Sequence, residues 1–336
     1  MTNDRKLLIV GNASSILTEK LKSLVGDYFR ETRILDNRNF SVHKPFMLLK
    51  SVLKARKVLK NYAPSFIILY QIDIAAFFLS FINRKVPVLA VGIGSDVLIM
   101  PNKSRLNKFL VTYVLNHCQY FNAGSIAVKE RIQQLSNRPV EVTIANLGVE
   151  DILPAKKQNI IFSNRLHKDL YNIDRIVNAF ARFVKDGKRK DWKLVVAATG
   201  KEEELKNRCE ILGINDSVDF VGWLNHEQNA YYYSISRIWV SLPASDSISL
   251  SLLEAMSAGC IPVCYDVPAL KGFLFDNRSA VIVNDFNENF FERALLLDNK
   301  DILANNRRKA RNFADIDLNR KRFYSIFDKE FNKQTV

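Results

Sequence analysis

Hydrophobic and polar positions alternate in blocks along the chain. Lys6 to Val10 is a short apolar run that stops at Gly11, which reads as a strand and its terminal loop. Ile16 to Phe29 has helical spacing. Phe66 to Tyr70, introduced by Pro64 and Ser65, reads as a buried strand with a helix following from about Asp73. Val86 to Val91 is another strand, closed by the loop Gly92 to Asp96. Helices at about Lys103 to Asn116 and Ile126 to Leu135 precede a strand over Val140 to Ile144. The second half repeats the pattern, with strands expected at Ile160 to Ser163, Leu194 to Ala198, Val218 to Val221, Ile238 to Ser241, Ile261 to Tyr265 and Ala280 to Val283. Strands alternating with helices in this way predict an α/β protein made of two doubly wound parallel sheets. Gly148 to Lys157, with a turn residue, an acidic pair and Pro154, reads as the linker, dividing the chain into domains 1–153 and 154–317. Ligands of open parallel sheets bind at the carboxyl ends of strands, so the cleft between two such domains is the expected active site.

Composition narrows the class. The chain has 336 residues, enough for two full cores, with 48% hydrophobic and 25% charged residues, as in soluble globular proteins. Its formal charge of +14 is uneven: residues 1–155 carry 21 Lys and Arg against 11 Asp and Glu, the remainder 28 against 24. A basic first half points to an anionic substrate or surface there. His43 to Tyr62 places Phe46, Met47, Leu48, Leu49, Val52, Leu53 and Val58 among Lys44, Lys50, Lys54, Arg56, Lys57 and Lys60. That helix reads either as a contact with an anionic membrane or as a core-facing helix with a solvated basic face. No aromatic-basic motif for nucleic acid is present. The longest apolar run, Phe66 to Ile82, is interrupted by Gln71 and Asp73 and falls short of a membrane span. The start, Met1 to Lys6, does not read as a signal peptide, and four scattered cysteines read as buried thiols rather than a metal site. These features point to the cytoplasm, at the inner face of the membrane if the basic helix docks there.

Chemistry concentrates between Asp246 and Val263. Two carboxylates, Asp246 and Glu254, stand eight positions apart. Ser247 and Ser249 follow the first acid where a helix is expected to start, an apolar run follows, and Gly259 stands where the helix stops. Loop, helix and strand in that order expose a helix N-terminus able to receive an anion. The segment resembles the E-x7-E signature of glycosyltransferase family 4, retaining enzymes of the GT-B fold that use nucleotide sugars. Asp246 stands for the first acid of that signature, Ser247, Ile248, Ser249 and Leu250 for its Gly-Phe-Gly-Leu, and Leu253 to Gly259 with Pro262 and Val263 follow its second half almost letter for letter. Gly148-Val149-Glu150 is similar to the family's junction segment.

The resemblance implies roles for particular residues. Backbone N–H groups of Ser247 to Leu250 would hold the donor diphosphate, Glu254 the ribose hydroxyls, and Asp246 the donor sugar, unless Asp246 is a simple helix cap. Arg165, at the end of the first strand of the second domain, would grip the diphosphate and join Asp246 in catalysis. The family's neighbouring Lys is replaced by Tyr171, leaving Lys168 as the substitute from the same loop. Gly200 and Trp223 follow strands and would approach the donor, Trp223 being equally readable as packing. On the acceptor side stand Gly11, Asn12 and Asp96, the last also readable as a turn-forming residue. A polar helix near residues 318–336 would pack back on the first domain. No general base is visible, and such enzymes are thought to use the leaving phosphate itself.

The implied activity is a metal-independent, retaining hexosyl transfer without a cofactor, from a nucleotide-diphosphate sugar to a glycan or lipid-linked acceptor in bacterial surface polysaccharide synthesis. A sugar-nucleotide epimerase and a non-catalytic binding module of the same fold are the alternatives.

Overall fold

The computed structural model describes residues 4–83, 85–185 and 187–335. They form two compact units: Met1–Leu147 with Ile316–Val336, and Gly148–Asp315.

The first unit is built on six strands, β1 (Lys6–Gly11), β2 (Glu31–Asp36), β3 (Phe66–Tyr70), β4 (Val88–Gly92), β5 (Tyr120–Ala123) and β6 (Thr143–Ile144). All neighbours run parallel, in the order β2-β1-β3-β4-β5-β6. The central strands are apolar throughout because both faces are covered. Leu8, Val10, Ile67 and Leu69 point into one core, under helices Pro45–Tyr62, Ile74–Ile82 and Arg105–His117. Leu7, Ile9, Phe66 and Ile68 point into the other, under helices Ile16–Val25 and Ile316–Phe331. Helix starts are set by side-chain caps: Ser15, Asp73, Ser104 and Ser125 each accept a first-turn N–H. Helix Ile316–Phe331 buries Phe323 and Phe327, and the Phe327 ring packs against Phe29 and Phe66.

The second unit has strands β7 (Gln158–Ser163), β8 (Lys193–Ala197), β9 (Val218–Gly222), β10 (Ser236–Ser241), β11 (Ile261–Tyr265) and β12 (Val281–Val283). Its order is β12-β11-β10-β7-β8-β9, again all parallel. The chain runs on from β7 toward one edge of the sheet and from β10 toward the other, so the connections that follow them diverge. That divergence opens the crevice where open sheets of this kind bind ligands.

Several expectations shift. β2 reads Glu-Thr-Arg-Ile-Leu-Asp and β5 spans only four residues, so neither carries a legible apolar pattern. The first helix stops at Val25, before Gly26, and the strand expected from Val140 shortens to Thr143–Ile144. The basic helix starts at Pro45, since proline suits the first helical turn. Gly148 to Leu153 belongs to the second unit rather than to a linker, because Val149 and Ile152 are buried in its core. All four cysteines are buried and unpaired with one another. Among the described residues no helix is long and apolar enough to cross a membrane.

Candidate functional site

β7 and β10 are hydrogen-bonded neighbours, with Phe162 beside Trp239. Their outgoing loops are therefore a few ångströms apart where the strand order reverses, and they are laced together. Asn172 Nδ2 donates to the Leu242 carbonyl at 2.7 Å, and the Ala244 N–H donates to the Leu170 carbonyl at 2.8 Å. The third link is ionic. The Arg165 guanidinium donates to Asp246 Oδ2 at 2.6 Å, with side chains only 12% and 24% exposed. Tyr171 lies under Arg165, its ring centroid 4.6 Å from the guanidinium carbon. Burial raises the Asp246 carboxyl above its ordinary pKa, opposed by Arg165 and by the Ser247 N–H, which Asp246 accepts at 2.9 Å.

The helix after this loop is Leu250–Ser257, shorter at its start than the spacing predicts. Its cap is Ser249, whose Oγ accepts the Leu252 N–H at 3.2 Å. Asp246 is thus not the helix cap. Ser247 and Ile248 lie in the loop rather than in the first turn, and the Ser247 N–H is already taken by Asp246. Ser247 and Ser241 hydroxyls are buried without a protein partner and line a cavity of about 10 Å³ with Asp246 and Cys264. A space that size with several polar walls suits a single water or a ligand hydroxyl.

A second polar cluster surrounds Glu254. This half-buried acid stands beside the hydroxyl of fully buried Tyr233, whose proton is held well above the ordinary phenol range by burial, then by the Glu254 charge. Asn164, directly after β7, organises the cluster. Its amide nitrogen donates to the Tyr233 hydroxyl at 2.7 Å and to Asn229 Oδ1 at 2.9 Å, and its oxygen accepts the Trp239 indole N–H at 3.1 Å. An amide with donors and acceptor engaged is fixed in place, and so is the phenol that faces Glu254.

The structure therefore brings Arg165, Asp246, Ser247, Ile248, Ser249, Leu250 and Glu254 to the ends of β7 and β10. Lys168 is exposed on the same loop, at the start of the turn Asp169–Tyr171. Gly200 packs on that loop for a backbone reason. It has φ +147°, bridges to His167, and a Cβ there would lie 2.3 Å from the His167 carbonyl oxygen. Trp223 stands apart, 62% exposed after β9. In the first unit, Gly11 ends β1 against Thr18, and Asn12 is exposed, its Oδ1 accepting the Ser14 N–H at 2.9 Å. Asp96 corrects the acceptor-side expectation. It is 1% exposed, and its carboxylate accepts the N–H groups of Ile72, Ile93, Gly94 and Val97 at 2.9–3.2 Å. It ties the loops after β3 and β4 together and has no surface for a ligand. Burial pushes its pKa up to about 6 against those four bonds.

Tyr171, Asn164 and Tyr233 are the site residues that the spacing did not reveal. Tyr171, which stands at the family's lysine position, supplies the face on which Arg165 rests. Among the described residues no group of three His, Cys, Asp or Glu side chains is placed to hold a metal ion.

Known proteins share this architecture. The sucrose-phosphate synthase of Thermosynechococcus elongatus superposes with a TM-score of 0.78 at 12% identity, over 98% of this chain and 100% of that one. Anabaena Alr3699/HepE, crystallised in complex with UDP, gives 0.75 at 11% identity over 96% and 100%. Both identities are low, so these likenesses establish the GT-B fold. In sequence, 133 residues are 31% identical to the alpha-monoglucosyldiacylglycerol synthase of Streptococcus pneumoniae, covering 39% of this chain and 29% of that relative. The chain thus matches less than a third of the length of this curated relative. Residues 149–313, nearly the whole second unit and the part that carries the Arg165–Asp246 pair and Glu254, match the family model of the glycosyl transferases group 1.

Proposed function

We propose that the chain is a retaining glycosyltransferase that moves a sugar from a nucleotide-diphosphate donor to a glycan or lipid-linked acceptor. The observation that carries this reading is the buried Arg165–Asp246 pair at the point where the sheet order reverses, inside the segment that matches the group 1 glycosyl transferases. HepE, a relative in fold, binds UDP, and the pneumococcal relative is named for a diacylglycerol product. A role in bacterial surface polysaccharide synthesis extends the same reading, as does a cytoplasmic location at the inner membrane face.

Each group has a task in such a transfer. Bond breaking at the anomeric carbon leaves negative charge on the diphosphate and positive charge on the sugar. Arg165 meets the diphosphate, with Lys168 supplying a second, exposed cation from the same loop; no metal or cofactor enters. Asp246 accepts a sugar hydroxyl. Arg165 and Asp246 hold each other, so neither buried charge is left bare. Glu254, steadied by Tyr233, accepts the ribose hydroxyls. The acceptor oxygen bonds to the anomeric carbon on the face that the diphosphate leaves, and the departing phosphate oxygen takes its proton, so the anomeric configuration is retained.

Calorimetric titration of UDP, GDP, ADP and CMP into wild type and Glu254→Ala tests this. One nucleotide is expected to bind, and Glu254→Ala to weaken it by about 1–3 kcal/mol. Absence of binding by any of the four would overturn the reading.

A further inference from the structure

The first unit carries a surface that the transfer reaction does not use. Helix Pro45–Tyr62 has two apolar stripes. Leu48, Val52 and Ala55 turn inward onto the sheet. Phe46, Leu49 and Leu53, spaced one and two turns apart, are each more than half exposed. Lys50, Lys54 and Lys57 stand on the same outward stripe, and Lys50 Nζ lies 4.4 Å from the Phe46 ring. The core-facing reading of this helix therefore describes its inner stripe and not its outer one.

The surface does not end there. Helices Ile74–Ile82 and Arg105–His117 cover the same face of the sheet, side by side. They add Phe81, Leu106 and Phe109, again each more than half exposed, with Phe77 joining the two helices through Phe109 and Tyr113. Lys103, Arg105 and Lys108 border them. Between residues 40 and 119 the sequence holds eleven Lys and Arg and only two acids, Asp73 and Asp96. Both acids are spent inside the fold, Asp73 capping helix Ile74–Ile82 and Asp96 pinning loops. Among the described residues, none of the cations on this face is ion-paired with a carboxylate.

A surface that exposes six large apolar side chains gains by covering them, and a surface of unbalanced cations gains from an anionic partner. Interleaving the two at helical spacing asks for both at once. We propose that this three-helix face seats the protein on an anionic lipid bilayer. Phe46, Leu49, Leu53 and Phe109 enter the acyl boundary, and the lysines meet the headgroups. The inference stands on this face alone, whatever reaction the second unit performs.

Flotation with vesicles of phosphatidylcholine, alone or with 30% phosphatidylglycerol, tests it on the full chain. Wild type is expected on the anionic vesicles and not on the neutral ones, with binding reduced in 0.5 M salt. Lys50→Glu/Lys54→Glu/Lys57→Glu and Phe46→Ser/Leu49→Ser/Leu53→Ser should each weaken binding at least tenfold, with thermal melting unchanged. These positions are exposed, so the variants fold. Wild type that ignores anionic vesicles, or variants that bind as well as wild type, would overturn the proposal. So would an intact serine variant beside a failed charge reversal, with single-stranded DNA competing for the vesicles, since that marks a surface for polyanions without insertion.

Discussion

The Arg165–Asp246 pair makes a quantitative prediction, because its two charges are buried together. At about 4 Å between charge centres and an effective dielectric constant of about 20, their attraction is about 4 kcal/mol. Desolvation offsets part of this. Asp246 retains 24% of its side-chain exposure and Arg165 12%, so neither offset is complete. Asp246→Asn leaves a guanidinium facing a neutral amide, and Arg165→Met leaves a carboxylate with only the Ser247 N–H. Each should destabilise the second unit by about 2–4 kcal/mol. The double variant leaves no bare charge and should be less destabilised than the two singles added together, giving a coupling energy of about 2 kcal/mol. Urea unfolding followed by tryptophan fluorescence is the assay, since Trp192, Trp223 and Trp239 all lie in the second unit. The same variants separate the pair's structural role from its ligand role. Asp246→Asn frees Arg165 and should hold or tighten affinity for bare nucleotide diphosphate while lowering turnover. Singles that add within about 0.5 kcal/mol would refute the coupling.

Other expectations follow from single contacts. Tyr233→Phe removes the hydroxyl between Asn164 and Glu254 and should lower nucleotide affinity by about 1–2 kcal/mol in calorimetry; a loss of stability with affinity intact would make Tyr233 merely structural. Gly200→Ala drives a Cβ into the His167 carbonyl at a φ that side chains avoid, and should cost about 2–4 kcal/mol in urea unfolding. Asp96 has a pKa of about 6 in the fold against an ordinary value near 3.8, so the folded state holds its proton longer than the unfolded one. Stability of the first unit should therefore fall as pH rises from about 4 to about 6, by roughly 3 kcal/mol from this group. Hydrogen exchange of the β3 and β4 amides would report it, and a flat profile would contradict it.

The sequence carried the central strands well, because a strand covered on both faces is an unbroken apolar run that no solvent-facing requirement disturbs. Phe66–Tyr70 and Ile261–Tyr265 were legible to the residue. Edge and short strands were not: Glu31–Asp36 takes its place from β1, not from its own pattern. At the site, the residue types were legible and their mutual use was not. Arg165 and Asp246 are 81 positions apart, and nothing in either segment announces that they pair. Asp96 misled for the opposite reason. A Gly-rich loop after a strand has the same composition whether its acid faces a ligand or ties down its own backbone.

Helix Ile316–Phe331 gives the first unit a peculiar biography. The segment that finishes its aromatic core, with Phe327 upon Phe29 and Phe66, is made only after the whole of Gly148–Asp315. During synthesis the second unit can close while the first still waits, one side of its sheet covered only by helix Ile16–Val25, for a helix not yet translated. Order of birth and order of completion are reversed, and a stop codon falling just after Asp315 would injure the half that starts first.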